Sequence, residues 1–217
     1  MKSKGKFLKV MQTTVFAAGL VWGQTVTQPE PMSGKTVLQF FADEEIKAGW
    51  NLGNTLDAYN DWQLPVTAIE TAWGNPVATQ QLFNGVKQSG FDMVRIPCTW
   101  LRHIGAAPDY TISSARLQRV EEVVNYAKNA GIKAIVINIH HDGANTNGDQ
   151  TTVGFVDMPA AVGNAAKKME IENQIAKVWS QIAEYFKNYG DYLIFERELY
   201  AYVTGQPQFR STSRFLA

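Results

Sequence analysis

From residue 37 onward the apolar positions fall into two alternating kinds of run. Within Thr79 to Ser89, Leu82, Phe83 and Val86 recur at helical spacing; that run stops at Gly90, and an extended stretch, Phe91 to Pro97, follows it. Leu117, Val120, Val124 and Ala127 mark one face of a second helix, opened by the cap candidates Ser113 and Ser114 and ended by Gly131. Lys133 to His140 is then almost wholly apolar, the pattern of a strand covered on both faces. Ile171, Ile175, Val178, Trp179, Ile182 and Phe186 form a third stripe, which stops at Gly190 and leads into Leu193-Ile194-Phe195. Ahead of them all, Ile46 to Leu52 is a short apolar stretch that reads as a strand. The order is strand then helix, repeated, with a last strand.

That alternation predicts an α/β domain with a parallel sheet, because each crossover helix must cover a sheet face. No Gly-rich phosphate loop follows the first strand: Gly49 and Gly53 flank Trp50 to Leu52, and the exit presents Asn51, Asn54 and Asp57 instead. Nucleotide binding is therefore not expected. The polar residues gather where strands end, with Asn54 after the first, Arg95 late in the second, and His140, His141 and Asp142 after the third. Such a rim fits the active-site face of a (β/α)8 barrel better than the edge of an open sheet.

The amino terminus differs in kind. Lys2, Lys4, Lys6 and Lys9 occur with no acid before Glu30, a mostly apolar run covers Val10 to Leu20, and Val21-Trp22-Gly23 suits cleavage before Gln24. Residues 1–23 are expected to be a secretory signal, and residues 24–36, polar and containing proline and glycine, a linker. Gln12, Thr13 and Thr14 interrupt an apolar run that would need about 18 clean residues to span a bilayer. The expected location is extracellular or at the cell surface, with no membrane association after signal removal.

Composition narrows the partners. The 217 residues carry 20 Lys+Arg against 20 Asp+Glu, so no broad basic surface is available to hold nucleic acid. Cys98 is the single cysteine and cannot form an internal disulfide. Metal is not expected either: a site needs converging ligands, and besides His140 and His141 only His103 remains. Neutral hydrogen bonding is the better role for the His140-His141 pair, whose side chains point to opposite faces if the chain is extended there. Arg95, late on a strand, is expected either to pair with a carboxylate inside the barrel or to serve the site. Trp50, Trp62, Trp73 and Trp100 fall in or near the first two strand-to-helix connections, alongside Tyr59, Asn54, Asn60 and Asn75. A pyranose offers apolar C–H faces to indole planes and hydroxyls to amides and imidazoles, so the group suggests a carbohydrate cleft, although any one of these tryptophans could be packing.

Five segments then carry a resemblance: Gly49-Trp50-Asn51-Leu52-Gly53-Asn54-Thr55-Leu56-Asp57-Ala58, Thr71-Ala72-Trp73-Gly74-Asn75-Pro76, Val94-Arg95-Ile96-Pro97, Ile137-Asn138-Ile139-His140-His141-Asp142 and Tyr189-Gly190-Asp191-Tyr192-Leu193-Ile194-Phe195-Glu196. In this order and spacing the chain resembles glycoside hydrolase family 5, the cellulase-type enzymes, over residues 37–196. The resemblance implies a (β/α)8 barrel, here ending after about the fourth strand, and retaining hydrolysis of β-1,4-glucan or a related plant polysaccharide without metal or organic cofactor. It also implies roles. Arg95 would brace the nucleophile, and His140, His141 and Asn54 would line the subsite of cleavage. From the tryptophan cluster, and not from the resemblance, Trp62 and Trp73 are the expected sugar platforms.

Retaining hydrolysis needs two carboxyl groups roughly 5 Å apart, one as acid/base and one as nucleophile. The family's acid/base glutamate follows an asparagine past the fourth strand, whereas here Phe195 leads into Glu196-Arg197-Glu198-Leu199-Tyr200; Glu198 is the residue matched to it, and Glu196 matches the family's preceding, non-catalytic glutamate. The family's nucleophile follows a seventh strand that these 217 residues do not reach. Residues 197–217 show neither periodicity and resemble nothing in the family, as a frameshift near residue 197 would produce. The expectation is a cellulase-type hydrolase that is inert as this polypeptide, with a non-catalytic glucan-binding half-barrel or a gene fragment as the alternative.

Overall fold

A computed structural model describes residues 32–58, 66–100, 103–140 and 161–196. The expected signal, most of the linker and the tail beyond Glu196 lie outside them. Among the described residues, nine elements follow in chain order: α1 Val37–Asp43, β1 Gly49–Asn51, α2 Val66–Ile69, α3 Gln80–Gln88, β2 Met93–Ile96, α4 Ser114–Asn129, β3 Ala134–Asn138, α5 Ala165–Tyr185 and β4 Leu193–Glu196. The strands form one parallel sheet in the order β1-β2-β3-β4. This is the expected strand–helix alternation, and four adjacent parallel strands in sequence order are consistent with half of a (β/α)8 barrel.

Local chemistry sets the boundaries. Thr79 caps α3 by accepting from Leu82 N–H, and Ser113 caps α4 by accepting from Arg116 N–H. Gly90 and Gly131 follow α3 and α4 at φ +89° and +82°, the left-handed conformation that lets a helix end turn back toward a strand. The third long helix ends at Tyr185, ahead of the Gly190 stop, and Phe186 and Tyr189 continue its apolar stripe through a turn. α1 and α2 were not among the expected elements. Thr36 and Gln39 close a capping box on α1 whose only buried side chain is Phe40, too little to produce a periodic stripe. Ser33, inside the expected linker, donates its backbone N–H to Asp191 Oδ1 at 3.1 Å just before β4.

Strand alternation divides the sheet into two faces. Val94, Ile96, Ile135, Ile137 and Leu193 pack with Phe83, Val86, Val120, Val124, Val178 and Ile182 in one core beneath the helices. The register places Arg95 beside Asn51 and Val136, and Glu196 beside Asn138, so these residues share the opposite, inner face. Every residue of β3 is buried, as its continuous apolar run predicted.

Candidate active site

On the inner face, one residue from each strand joins a single hydrogen-bonded group. Arg95 on β2 donates from Nε to Glu196 Oε2 at 2.6 Å, and from Nη1 to Asn51 Oδ1 on β1 at 3.1 Å. Between them on β3, Asn138 donates from Nδ2 to the same Glu196 oxygen at 3.0 Å and accepts from the Cys98 N–H at 3.3 Å. The Arg95 and Glu196 side chains are 23% and 30% exposed, so water screens their attraction and the stronger consequence is geometric: the guanidinium is held in one orientation. Arg95 pairs with a carboxylate inside the barrel, and the pair lies at the strand's C-terminal end, on the rim.

A second group lies where the loops after β1, β2 and β3 meet. Asp57 Oδ1 accepts from the Thr55 N–H at 2.9 Å, and its Oδ2 lies 3.9 Å from His140 Nε2, too far for a hydrogen bond but near enough to attract a protonated imidazole. The Thr99 hydroxyl sits 2.8 Å from the His140 carbonyl and 3.0 Å from that of Asp57. The His140 N–H donates to the Cys98 carbonyl at 2.8 Å. His140 is thereby fixed through its backbone with its ring at the surface of the group. Asn54 is exposed at φ +59°, a conformation asparagine tolerates better than most residues. Beside it, Asn75 donates to the Gly53 carbonyl at 2.7 Å and to Thr55 Oγ1 at 3.2 Å, stitching the residue 71–77 loop to the β1 exit.

The structure brings Arg95, His140 and Asn54 to the C-terminal ends of neighbouring strands and sets Trp73, half-buried, in the loop that Asn75 anchors. His141, Trp62 and Glu198 lie outside the described residues, as do Tyr59 and Asn60. Two tryptophans of the expected cleft belong elsewhere. Trp100 is fully buried and donates its indole N–H to the Asn138 carbonyl at 2.9 Å, so it supports β3 from within. Trp50 stands beside Val94 in the helix-facing row because alternation turns it away from Asn51. Asn138, Glu196 and Thr99 acquire parts that residue type alone did not assign; the parity shared by Arg95, Asn138 and Glu196 was the signal for the first two.

Burial, with the Arg116 cation adding to it, pushes the His103 imidazole down to about 3, so it is neutral at ordinary pH. Among the described residues no three His, Cys, Asp or Glu side chains gather as a metal-holding group. The rim instead offers a fixed guanidinium, an imidazole, amides and an indole, a set suited to hydroxyl-rich ligands.

Comparison with known proteins gives this geometry a context. Residues 56–198 match the family model described as cellulase (glycosyl hydrolase family 5). Endoglucanase B of Clostridium cellulovorans is 44% identical over 153 residues, which make up 70% of this chain and 29% of that protein. A Bacteroidetes-affiliated GH5 cellulase linked with a polysaccharide utilization locus superimposes at a TM-score of 0.65 with 41% identity, covering 77% of this chain and 41% of that one. A GH5-4 broad-specificity endoglucanase from Ruminococcus champanellensis, solved with bound cellotriose, superimposes at 0.62 with 35% identity over 77% of this chain and 44% of its own. The chain thus spans less than half the length of each of these relatives.

Proposed function

The chain belongs to glycosyl hydrolase family 5, the cellulases, and on that premise we propose that its strand-exit rim binds β-1,4-linked glucan as part of a retaining endoglucanase site. The observation that carries this reading is the convergence of all four strands on the Arg95 guanidinium, with Asn51 and Glu196 bonded to it and Asn138 on the same carboxylate. A group held that way can orient a carboxylate or a sugar hydroxyl without reorganising when the ligand arrives. His140 and Asn54 supply hydrogen bonds at the adjoining exits, and Trp73 supplies an indole plane. The cellotriose bound by the Ruminococcus champanellensis endoglucanase supports a cello-oligosaccharide as the ligand.

The chemistry expected at such a site is a double displacement: a carboxylic acid protonates the glycosidic oxygen while a carboxylate attacks the anomeric carbon, and water then releases the sugar. Asp57 and Glu196 are the carboxylates of the described strand exits, and both are engaged, Asp57 by the Thr55 N–H and Glu196 by Arg95 and Asn138. Neither is assigned the acid or the nucleophile; Glu198 keeps the acid role as a proposal. The protein is further proposed to be exported with cleavage before Gln24.

Retention in a gel whose matrix carries covalently coupled cellotetraose tests the binding. The wild-type chain should be retarded and Arg95→Met should run as though no glucan were present; equal mobility of the wild-type chain with and without the oligosaccharide would reject the reading. An amino terminus other than Gln24 in the exported protein would refute the proposed cleavage.

A further inference from the structure

Away from the inner face, the molecule contains a buried ion pair that the proposed chemistry does not use. Arg119 on α4 and Glu70 just past α2 are 6% and 1% exposed. They meet as a fork, Nε to Oε1 at 2.6 Å and Nη2 to Oε2 at 3.0 Å, and Nη2 also donates to the Ala78 carbonyl at 3.0 Å. Glu122 accepts from Nη1, and although burial opposes the charge, Glu70 and Glu122 together hold the guanidinium's pKa above its ordinary value.

Position gives the pair its meaning. Glu70 and Ala78 bracket residues 71–77, the loop that carries Trp73 and Asn75, and none of those seven residues is buried. Their apolar packing is slight, so the loop's course is set by polar contacts: its two ends, the Asn75 bonds to Gly53 and Thr55, and the turn in which the Thr71, Ala72 and Gly74 N–H groups donate to the Ala68, Ile69 and Thr71 carbonyls. Both ends are gripped by one guanidinium. Desolvating two charges offsets most of their attraction, so a buried pair contributes little net stability compared with apolar side chains of similar size. Its surviving effect is to dictate one geometry.

We propose that Arg119, acting through Glu70, is a positioning residue for the glucan rim, setting the loop that presents Trp73 and ties the Asn54 exit in place. The inference rests on the glucan-binding reading for its purpose, though not for its mechanics. Arg116, one turn earlier on the same helix, acts in parallel, since its Nη2 donates to the Leu56 carbonyl, on the β1 exit that carries Asp57, and to the Thr99 carbonyl, on the β2 exit whose Thr99 hydroxyl meets the His140 carbonyl. One helix thus holds the rim from behind at separate points.

The test is the double variant Glu70→Leu/Arg119→Met in the 217-residue chain, read by amide hydrogen exchange, thermal unfolding and cellotetraose gel retention. Exchange across residues 71–77 should rise about tenfold while residues 134–138 keep their protection and the unfolding midpoint holds or rises. Cellotetraose affinity should fall about tenfold or more. Unchanged exchange in the loop, or a rise matched in residues 134–138, overturns the proposal. Should the double variant fail to fold, Glu70→Gln, which keeps size and removes charge, must still raise loop exchange, and its failure to do so overturns the proposal equally. If the wild-type chain ignores cellotetraose the glucan reading fails, and the exchange measurement still decides whether Arg119 positions the loop.

Discussion

The two faces of the sheet are made from the same strands and obey different rules. On the helix side, Val94, Ile96, Ile135 and Ile137 are each 0% exposed, and almost any close-packed apolar set would serve. On the inner side, Met93, Arg95, Ile194 and Glu196 are only partly covered, and their value lies in orientation. Alternation lets a strand carry both assignments at once: Ile96 packs against helices while its neighbour Arg95 faces the rim. Stability and ligand recognition are therefore separable by residue parity, and substitutions on either face should show it.

The largest effect is expected from Ile135→Ala. The side chain lies between Val94 and Leu193 in the helix-facing row, and its loss should cost about 2–5 kcal/mol in urea unfolding. Ile194→Ala, the same chemical change one strand away on the partly covered face, should cost less than half as much. Equal losses at the two positions would erase the distinction between the faces.

Arg95→Met should invert that pattern. The ion pair it removes is partly exposed, so stability should fall by only about 1 kcal/mol, whereas cellotetraose retention should be abolished. Glu196→Gln, which keeps the shape and one acceptor oxygen, should fall between the wild-type chain and Arg95→Met in retention. A loss of stability in Arg95→Met as large as in Ile135→Ala would mean that the inner group is a folding element first.

Much of this division was legible in the sequence. The apolar run of β3, the Gly90 and Gly131 stops and the Ser113 cap placed strands and helices to within a few residues, because each rests on local chemistry. Arg95, His140 and Asn54 were placed at strand exits for the same reason. What residue type could not supply was direction. Trp50 and Trp100 are ordinary candidates for a sugar cleft until strand parity turns Trp50 outward and the Asn138 carbonyl captures the Trp100 indole. Glu70 and Arg119, separated by 49 positions, show no pattern that would pair them, since long-range ion pairs depend on how loops and helices pack. Short α1 and α2 escaped because a single turn or two yields no stripe.

His103 offers a gentler perturbation. Its pKa falls from 6.5 to about 3 in the folded chain, so between those values the unfolded state binds the extra proton. Stability from this group is intact above pH 6.5 and declines as pH falls toward 3. His103→Gln should flatten that part of the pH–stability curve, and imidazole NMR should find no titration of His103 between about pH 5 and 8. A measured pKa near 6.5 would mean that the turn around His103 is open to water.

The smallest effect should come from Thr36→Ala. Thr36 accepts from the Gln39 N–H at 3.2 Å and donates its own N–H to Gln39 Oε1 at 2.9 Å, a capping box on a seven-residue helix ahead of β1. Removing the hydroxyl should cost about 1 kcal/mol, because Phe40 remains to dock the helix. The Asn51–Arg95–Glu196–Asn138 bonds and the Asn75 bonds that anchor the 71–77 loop involve no residue of α1, so cellotetraose retention should be unchanged. A stability loss confined to the helix, with the rim intact, would place α1 with the packing face of the molecule; a parallel loss of retention would show that the start of the described chain reaches the rim by a route that strand parity does not capture.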